Sequence, residues 1–319
     1  MGEFDLIERY FKRPPLSADV GIGDDCAVWT PRSGHQLAFS ADMLVEGRHF
    51  LSTVNPHHLG HKSLAVNLSD LAACGATPQA FMLSLSLPRA DEAWLAGFSS
   101  GLFQLADQHR CELIGGDTTQ GPLNISITVM GDIPTGQSIL RSGAQVGDDL
   151  YVSGHLGDAR LALEAFRGNV SLPQHVFELA RLRMERPTPR VALGQALRGI
   201  ATAMADISDG LIGDLGHILK ASHVGAEIDT TFAPALMQTH PFWTCPPDLA
   251  MTCALSGGDD YELVFSASPS ASANVQRAAK ESGTSITRIG RITDSRRLEL
   301  LGMDGLPVAI SLNSFDHFA

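Results

Sequence analysis

Apolar Phe4, Ile7 and Phe11 recur at helical spacing, which predicts a short helix over residues 3–12. Strand-like runs follow at 26–29 and 37–40. A long helical pattern over 57–74 opens after Pro56 and stops at Gly75. Alternation over 81–87 predicts a strand that ends at Pro88, and 91–109 predicts an amphipathic helix. Further strands are expected at 111–114 and 124–133. The second half opens with a strand at 150–153, then helices near 157–167, 174–185 and 189–199. A strand at 203–207, a helix at 211–222, strands at 226–229 and 262–267, a helix near 270–282 and closing short strands complete it. The fold class is therefore α/β in the mixed, α+β sense. The turn-rich stretch "PTGQSILRSGAQVGD" (134–148) marks a boundary between an N-terminal domain, 1–137, and a C-terminal domain, 138–319.

The 319 residues are 44% hydrophobic and 18% charged, enough for sizeable cores and unlike a disordered chain. Residues 1–12 are charged and amphipathic rather than a secretory leader, and no apolar run has the length to span a bilayer. Five cysteines without a C-x-x-C pair argue against a disulfide framework or zinc ribbon and for reduced, mostly buried thiols in a cytoplasmic protein. The net charge is −12 with four lysines, which argues against a nucleic-acid-binding surface. An acidic chain can still bind polyanions when metal cations stand between them.

That possibility gains weight from aspartates in glycine-flanked motifs. "GIGDD" carries Asp24 and Asp25, "SADMLVEG" carries Asp42, and "NLSDLAACGA" carries Asp70. "LIGGDTT" carries Asp117, "ADISDGLIGDL" carries Asp206 and Asp209, and "LSGGDDYEL" carries Asp259 and Asp260. Most are expected at corners after a strand or at a helix start, the rims where α/β proteins build sites. Magnesium prefers hard oxygen ligands and commonly takes one or two carboxylates plus substrate phosphates. Each motif alone also fits an Asx-turn or a helix N-cap. The recurrence, with few nearby cations to pair with, points to bridging metals.

Other chemistries lack their motifs. There is no G-x-x-x-x-G-K-[ST], no protein-kinase H-R-D or D-F-G set, and no G-x-G-x-x-G after a strand. Residues 97–101 match G-x-S-x-G but lie inside a helical pattern, whereas a nucleophile elbow needs a strand-to-helix turn. His57, His58 and His61 lack a carboxylate or cysteine partner at helical spacing and read as surface histidines. His49 follows Asp42 by seven residues in a glycine-containing loop and is open to either a solvated or a ligand role. Arg141 is a charged donor able to reach a phosphate, or a surface arginine.

The strings "GEFDLIERYF", "GIGDDCAV", "LAVNLSDLAACGATP", "LIGGDTTQGPL", "RSGAQVGD", "DISDGLIGDLGHI", "LSGGDDYEL" and "SFDHF" run nearly end to end, and together they resemble the thiamine-monophosphate kinase family. That family is grouped with aminoimidazole ribonucleotide (AIR) synthetase and selenophosphate synthetase. The resemblance implies a two-domain AIR synthetase-like fold, with an N-terminal α/β domain that dimerises through its sheet and a C-terminal α/β domain. It implies transfer of the γ-phosphoryl of ATP to thiamine monophosphate, with several magnesium ions. By the same resemblance Asp25, Ser40, Ala41, Asp42, Asp70, Asp117, Asp206 and Asp209 are metal ligands, with Asp42, Asp70 and Asp117 central to catalysis. Gly116, Asp117, Arg141 and Ser208 are expected at ATP, and His49, Asp259 and Phe315 at the acceptor. Two residues depart from the family pattern. Ala41 replaces a threonine, so a metal contact there falls to its carbonyl. Asp259 replaces a glutamate, which shortens its reach by one methylene. The rivals are another AIR synthetase-like enzyme with a different acceptor, and a non-catalytic sensor of ATP or thiamine phosphate.

Overall fold

Strand alternation organises the first half of the chain. In the computed structural model, which describes residues 2–308, α1 (Glu3–Tyr10) precedes β1 (His35–Val45), α2 (Pro56–Ala73), β2 (Thr77–Leu87), α3 (Glu92–His109), β3 (Glu112–Gln120) and β4 (Asn124–Pro134). The sheet order is β1-β4-β2-β3, with β2 and β3 parallel and the other pairs antiparallel. Phe81, Leu83, Leu85 and Leu87 are buried, while Met82 and Ser84 between them are exposed, as a period of two requires. Leucines of α2 and α3 are buried as well, with Phe98 of α3 and Ile125, Ile127 and Val129 of β4.

Three expectations change here. Residues 26–29 form no strand; Val20 and Val28 exchange backbone hydrogen bonds as an isolated bridge around the 21–27 loop. β2 begins at Thr77, four residues before the alternation, because Thr77 and Pro78 pair with Asp132 and Gly131 of β4, with a register shift after Pro78. β3 continues through the glycines to Gln120 because its partner β2 supplies a parallel ladder that the local sequence does not reveal. Residues 97–101 do lie within α3.

The second half contains β5 (Asp149–Ser153), α4 (Asp158–Phe166), α5 (Gln174–Glu185), α6 (Val191–Ala196), β6 (Ala203–Ile207), α7 (Leu211–Ser222) and β7 (Gly225–Asp229). After a 3-10 turn at Thr230–Phe232 come α8 (Ala233–Leu236), α9 (Pro247–Ser256), β8 (Glu262–Ala267), α10 (Ser272–Ser282), β9 (Ile286–Thr293) and β10 (Leu298–Leu301). The sheet order is β10-β7-β9-β5-β8-β6. A core of Val152, Ala205, Val264, Leu211, Leu215 and Leu255 joins this sheet to α7 and α9. The sequence pattern predicts nothing over 230–261. α9 is hard to read there because the stretch 249–255 is almost wholly apolar or small, with Thr252 its one polar residue, which blurs the polar face of the period.

The chain divides into two compact units. One comprises the chain through Leu71 and Ala76–Gly136; the other comprises Ala72–Gly75 and the chain from Gln137. Among the described residues no helix is long and apolar enough to cross a membrane.

Candidate active site

In the first unit the oxygen-bearing side chains fall on two faces of one sheet. Ser40 and Asp42 alternate along β1 with exposed Phe39, Ala41 and Met43. The face of Ser40 and Asp42 meets α2. There the Ser40 hydroxyl donates a short hydrogen bond to Asp70 Oδ2, and the Asp42 N–H donates to Asn67 Oδ1 at 3.1 Å. Asp117 belongs to the row Met43–Ser126–Ser84–Asp117 across the four strands, and thus to the opposite face. On that side a cavity of about 1250 Å³ is lined by Asp24, Asp25, Gly116 and Asp117 together with apolar residues such as Phe39 and Trp29. Gly116 is required by its strand position: at φ +144° any Cβ would run into the Leu83 carbonyl.

His49 lies in the turn after β1. The Val45 N–H donates to its Nδ1 at 3.0 Å, which places the ring proton on Nε2. Buried Lys62 of α2 donates to the His49 carbonyl at 3.3 Å and so ties the turn to the helix.

In the second unit β6 carries buried Asp206 on an edge strand and delivers the chain to a turn at Ser208 and Asp209. Both N–H groups of that turn donate to one atom, Asp214 Oδ2, at 3.0 and 3.1 Å. Burial pushes the Asp214 carboxyl up to about 6, helped by the Asp209 charge and opposed by the two N–H donors and the Arg141 charge. The loop before β8 closes on the same turn. Asp259 N–H donates to the Ser208 carbonyl at 2.7 Å and Tyr261 N–H to the Ile207 carbonyl at 2.8 Å. Asp259 and Tyr261 both have left-handed backbones, at φ 63° and 52°. The alternate residues are anchored inward. Asp260 accepts from the Gly157 N–H, and fully buried Glu262 accepts from Ser153, Arg183 and Arg190. Arg141 is exposed, and its carbonyl accepts from the Ser222 hydroxyl at the end of α7.

Two family models cover most of this chain. The N-terminal domain of AIR synthase related proteins matches residues 23–133, and the C-terminal domain matches residues 145–302. Thiamine-monophosphate kinase of Escherichia coli (strain K12) is 44% identical over 325 aligned positions, covering 100% of this chain and 98% of that protein. The chain belongs to the thiamine-monophosphate kinase family. A solved thiamine-monophosphate kinase from Stenotrophomonas maltophilia K279a superposes with a TM-score of 0.84 at 45% identity, covering 92% of each chain. A structure of AaThiL complexed with AMPPCP and TMP superposes with a TM-score of 0.75 at 28% identity, covering 91% of this chain and 89% of that one.

Set beside what the kinase-family motifs imply, the structure brings some residues together and separates others. Ser40 and Asp70 touch, with Asp42 on the same face. Asp25, Gly116 and Asp117 share the cavity on the other face, and Ser208, Asp209 and Asp259 share one backbone hydrogen-bonded cluster. Asp42 and Asp117 are within strands and Asp70 within a helix, not at the corners that their glycine neighbours suggest. Among the described residues no three His, Cys, Asp or Glu side chains form a group placed to hold a metal ion. The donor chemistry still suits magnesium: a hydroxyl and carboxylates are hard oxygen ligands, and one or two of them suffice when phosphates complete the shell. Phe315 lies outside the described residues. Of the three histidines expected at the surface, His61 is buried and His57 and His58 are half-buried, because that face of α2 is packed. Asp214, Lys62 and Glu262 escape a sequence reading because their significance lies in contacts. Spacing gave one usable signal, an acid in the first turn of α7 five residues after Asp209.

Proposed function

We propose that this protein transfers the γ-phosphoryl group of ATP to thiamine monophosphate, giving thiamine diphosphate and ADP, with magnesium as the required metal. The observation that carries the reading is the oxygen-rich face formed by Ser40, Asp42 and Asp70 on β1 and α2. An acidic face of this kind suits phosphates only through cations. Support comes from the full-length relatives named as this kinase and from the AaThiL complex with AMPPCP and TMP. In this reading Ser40, Asp42, Asp70 and the Ala41 carbonyl hold magnesium on one face, and Asp25 and Asp117 hold a further ion on the cavity face. Asp206 and Asp209 are the second unit's metal ligands, Gly116, Arg141 and Ser208 contact ATP, and His49 and Asp259 meet the acceptor.

Bound magnesium would neutralise charge on the transferred phosphoryl group and orient the reacting oxygens. The chain's residues have little proton chemistry to perform. A phosphate monoester has a second pKa of about 6, so the acceptor is already an oxyanion near neutral pH. The His49 Nε2–H can donate to that anion, while the turn at Ser208 orients the donor nucleotide. Catalysis then rests on positioning and charge neutralisation.

Incubation with ATP, Mg²⁺ and thiamine monophosphate, followed by anion-exchange chromatography, tests the reading. Stoichiometric thiamine diphosphate and ADP are expected, abolished by a chelator. Nucleotide binding without either product would instead identify a sensor, and ATP consumption only with a different acceptor would identify another AIR synthase-like enzyme.

The homodimer belongs to the same proposal. Phe39, Met43 and Met82 are 63%, 54% and 43% exposed on the cavity face of the first sheet, an apolar surface suited to a second copy of the chain. Light scattering should give twice the chain mass for the native protein and the chain mass for Phe39→Asp.

A further inference from the structure

The turn at Ser208 and Asp209 is held by a residue to which neither the motifs nor the proposed chemistry gives a task. Asp214 is 4% exposed and lies in the first turn of α7. Its Oδ2 accepts both consecutive N–H groups of the turn, at 3.0 and 3.1 Å. Those two bonds fix the peptide planes from which the Ser208 hydroxyl and the Asp209 carboxylate project. The opposite side of the turn is fixed as well, because the Ser208 carbonyl accepts the Asp259 N–H at 2.7 Å. The Arg141 charge acts on the same carboxylate, and Ser222 of α7 bonds to the Arg141 carbonyl and to the N–H groups of Gly143 and Ala144. Asp214 therefore ties the turn to the start of α7, while Ser222 ties the Arg141 segment to the end of the same helix. The helix N-terminus favours an acid at this place, which offsets part of the cost of burying it.

We infer that Asp214 is a positioning residue for the nucleotide. By holding the Ser208 and Asp209 N–H groups it orients the side chains that meet Mg·ATP, and it does not touch substrate itself. This inference rests on the proposed placement of Ser208 and Asp209 at the nucleotide.

Asparagine retains an oxygen that accepts both N–H groups and removes the charge; glutamate retains the charge and displaces the oxygen; alanine removes both. Steady-state kinetics of Asp214→Asn, Asp214→Glu and Asp214→Ala, with melting temperatures, separate these roles. The KM for Mg·ATP should rise by about tenfold in the Ala and Glu variants, the effect of losing roughly one hydrogen bond's worth of orientation, while Asn stays within about threefold. The KM for thiamine monophosphate should change less than about twofold in all three, by the same magnitude argument. Should the Ala variant fail to fold, the contrast between Glu and Asn carries the test. A lowered melting temperature with an unchanged Mg·ATP KM in the Ala and Glu variants would make Asp214 merely structural and overturn the inference. Asn as damaging as Ala would assign the effect to charge and overturn it too. Asp209→Asn serves as the control for the underlying reading. An Mg·ATP KM altered in Asp209→Asn but not in the Asp214 variants removes Asp214 alone, whereas an unaltered KM in all of them removes the whole turn from the nucleotide site.

Discussion

The backbone N–H of Asp259 donates to the carbonyl of Ser208 at 2.7 Å, so the proposed acceptor contact and the proposed ATP contact share a hydrogen bond. Gly258 makes this approach possible. It has φ +71°, and a Cβ there would stand 2.6 Å from the Ser208 carbonyl oxygen. Gly258→Ala should cost about 1–2 kcal/mol for the left-handed backbone alone. It should also push the loop off the turn, raising KM for both substrates. Urea unfolding and two-substrate kinetics measure the two effects; a variant with native stability and native KM values would show that the loop does not depend on this contact.

The proposed magnesium ligands of the first unit give a sharper test of chemistry. Asp42→Asn and Asp70→Asn should each lower kcat by at least about 100-fold, because a metal's charge stabilisation is worth several kcal/mol. Circular dichroism should remain native, since amides fill the same space. Raising the magnesium concentration should recover part of the activity. Near-normal turnover in both variants would remove this face from the site.

Glu262 anchors the first residue of β8 between two guanidinium groups. Its side chain is fully buried, and those of Arg183 and Arg190 are 13% and 16% exposed. Glu262→Gln leaves two nearly buried cations without their counter-charge, and the expected loss of stability is about 3 kcal/mol. Denaturant unfolding should show the shift. Replacement at no cost would mean that the two guanidinium groups do not depend on the Glu262 charge.

Asp260 predicts a pH dependence of stability. Burial pushes its carboxyl well above the usual range. The Gly157 N–H and the Arg183 charge oppose that shift, and the Asp158 and Glu262 charges reinforce it. The folded chain therefore keeps a proton that the unfolded chain releases above about pH 4. Its contribution to stability is complete below that pH and declines as pH rises toward the folded value. Asp260→Asn should remove this decline, so the gap between variant and native unfolding midpoints should widen in favour of the variant from pH 5 to pH 7. A gap that is constant with pH would refute the assignment.

Much of the fold is legible along the chain because apolar periodicity is a local signal. The α2 pattern and the alternation in Phe81–Leu87 place their elements within a few residues. Elements that depend on a distant partner are not legible. β3 runs through Gly115 and Gly116 only because β2 lies beside it, and the C-terminal half of α9 is buried by packing on the second sheet and α7.

Composition and motifs establish which chemical groups are present: an acidic, lysine-poor chain with aspartates in glycine-flanked motifs, whose resemblance extends nearly from end to end. Which of those groups meet follows only from the folded chain. Strand alternation and pairing send Asp42 and Asp117 to opposite faces of one sheet, and the loop before β8 brings the Asp259 N–H onto the Ser208 carbonyl. Spacing along a chain specifies side-chain identity and local period. Contact between residues far apart in sequence depends on strand register and on the partners that burial requires, and neither is written at any single position.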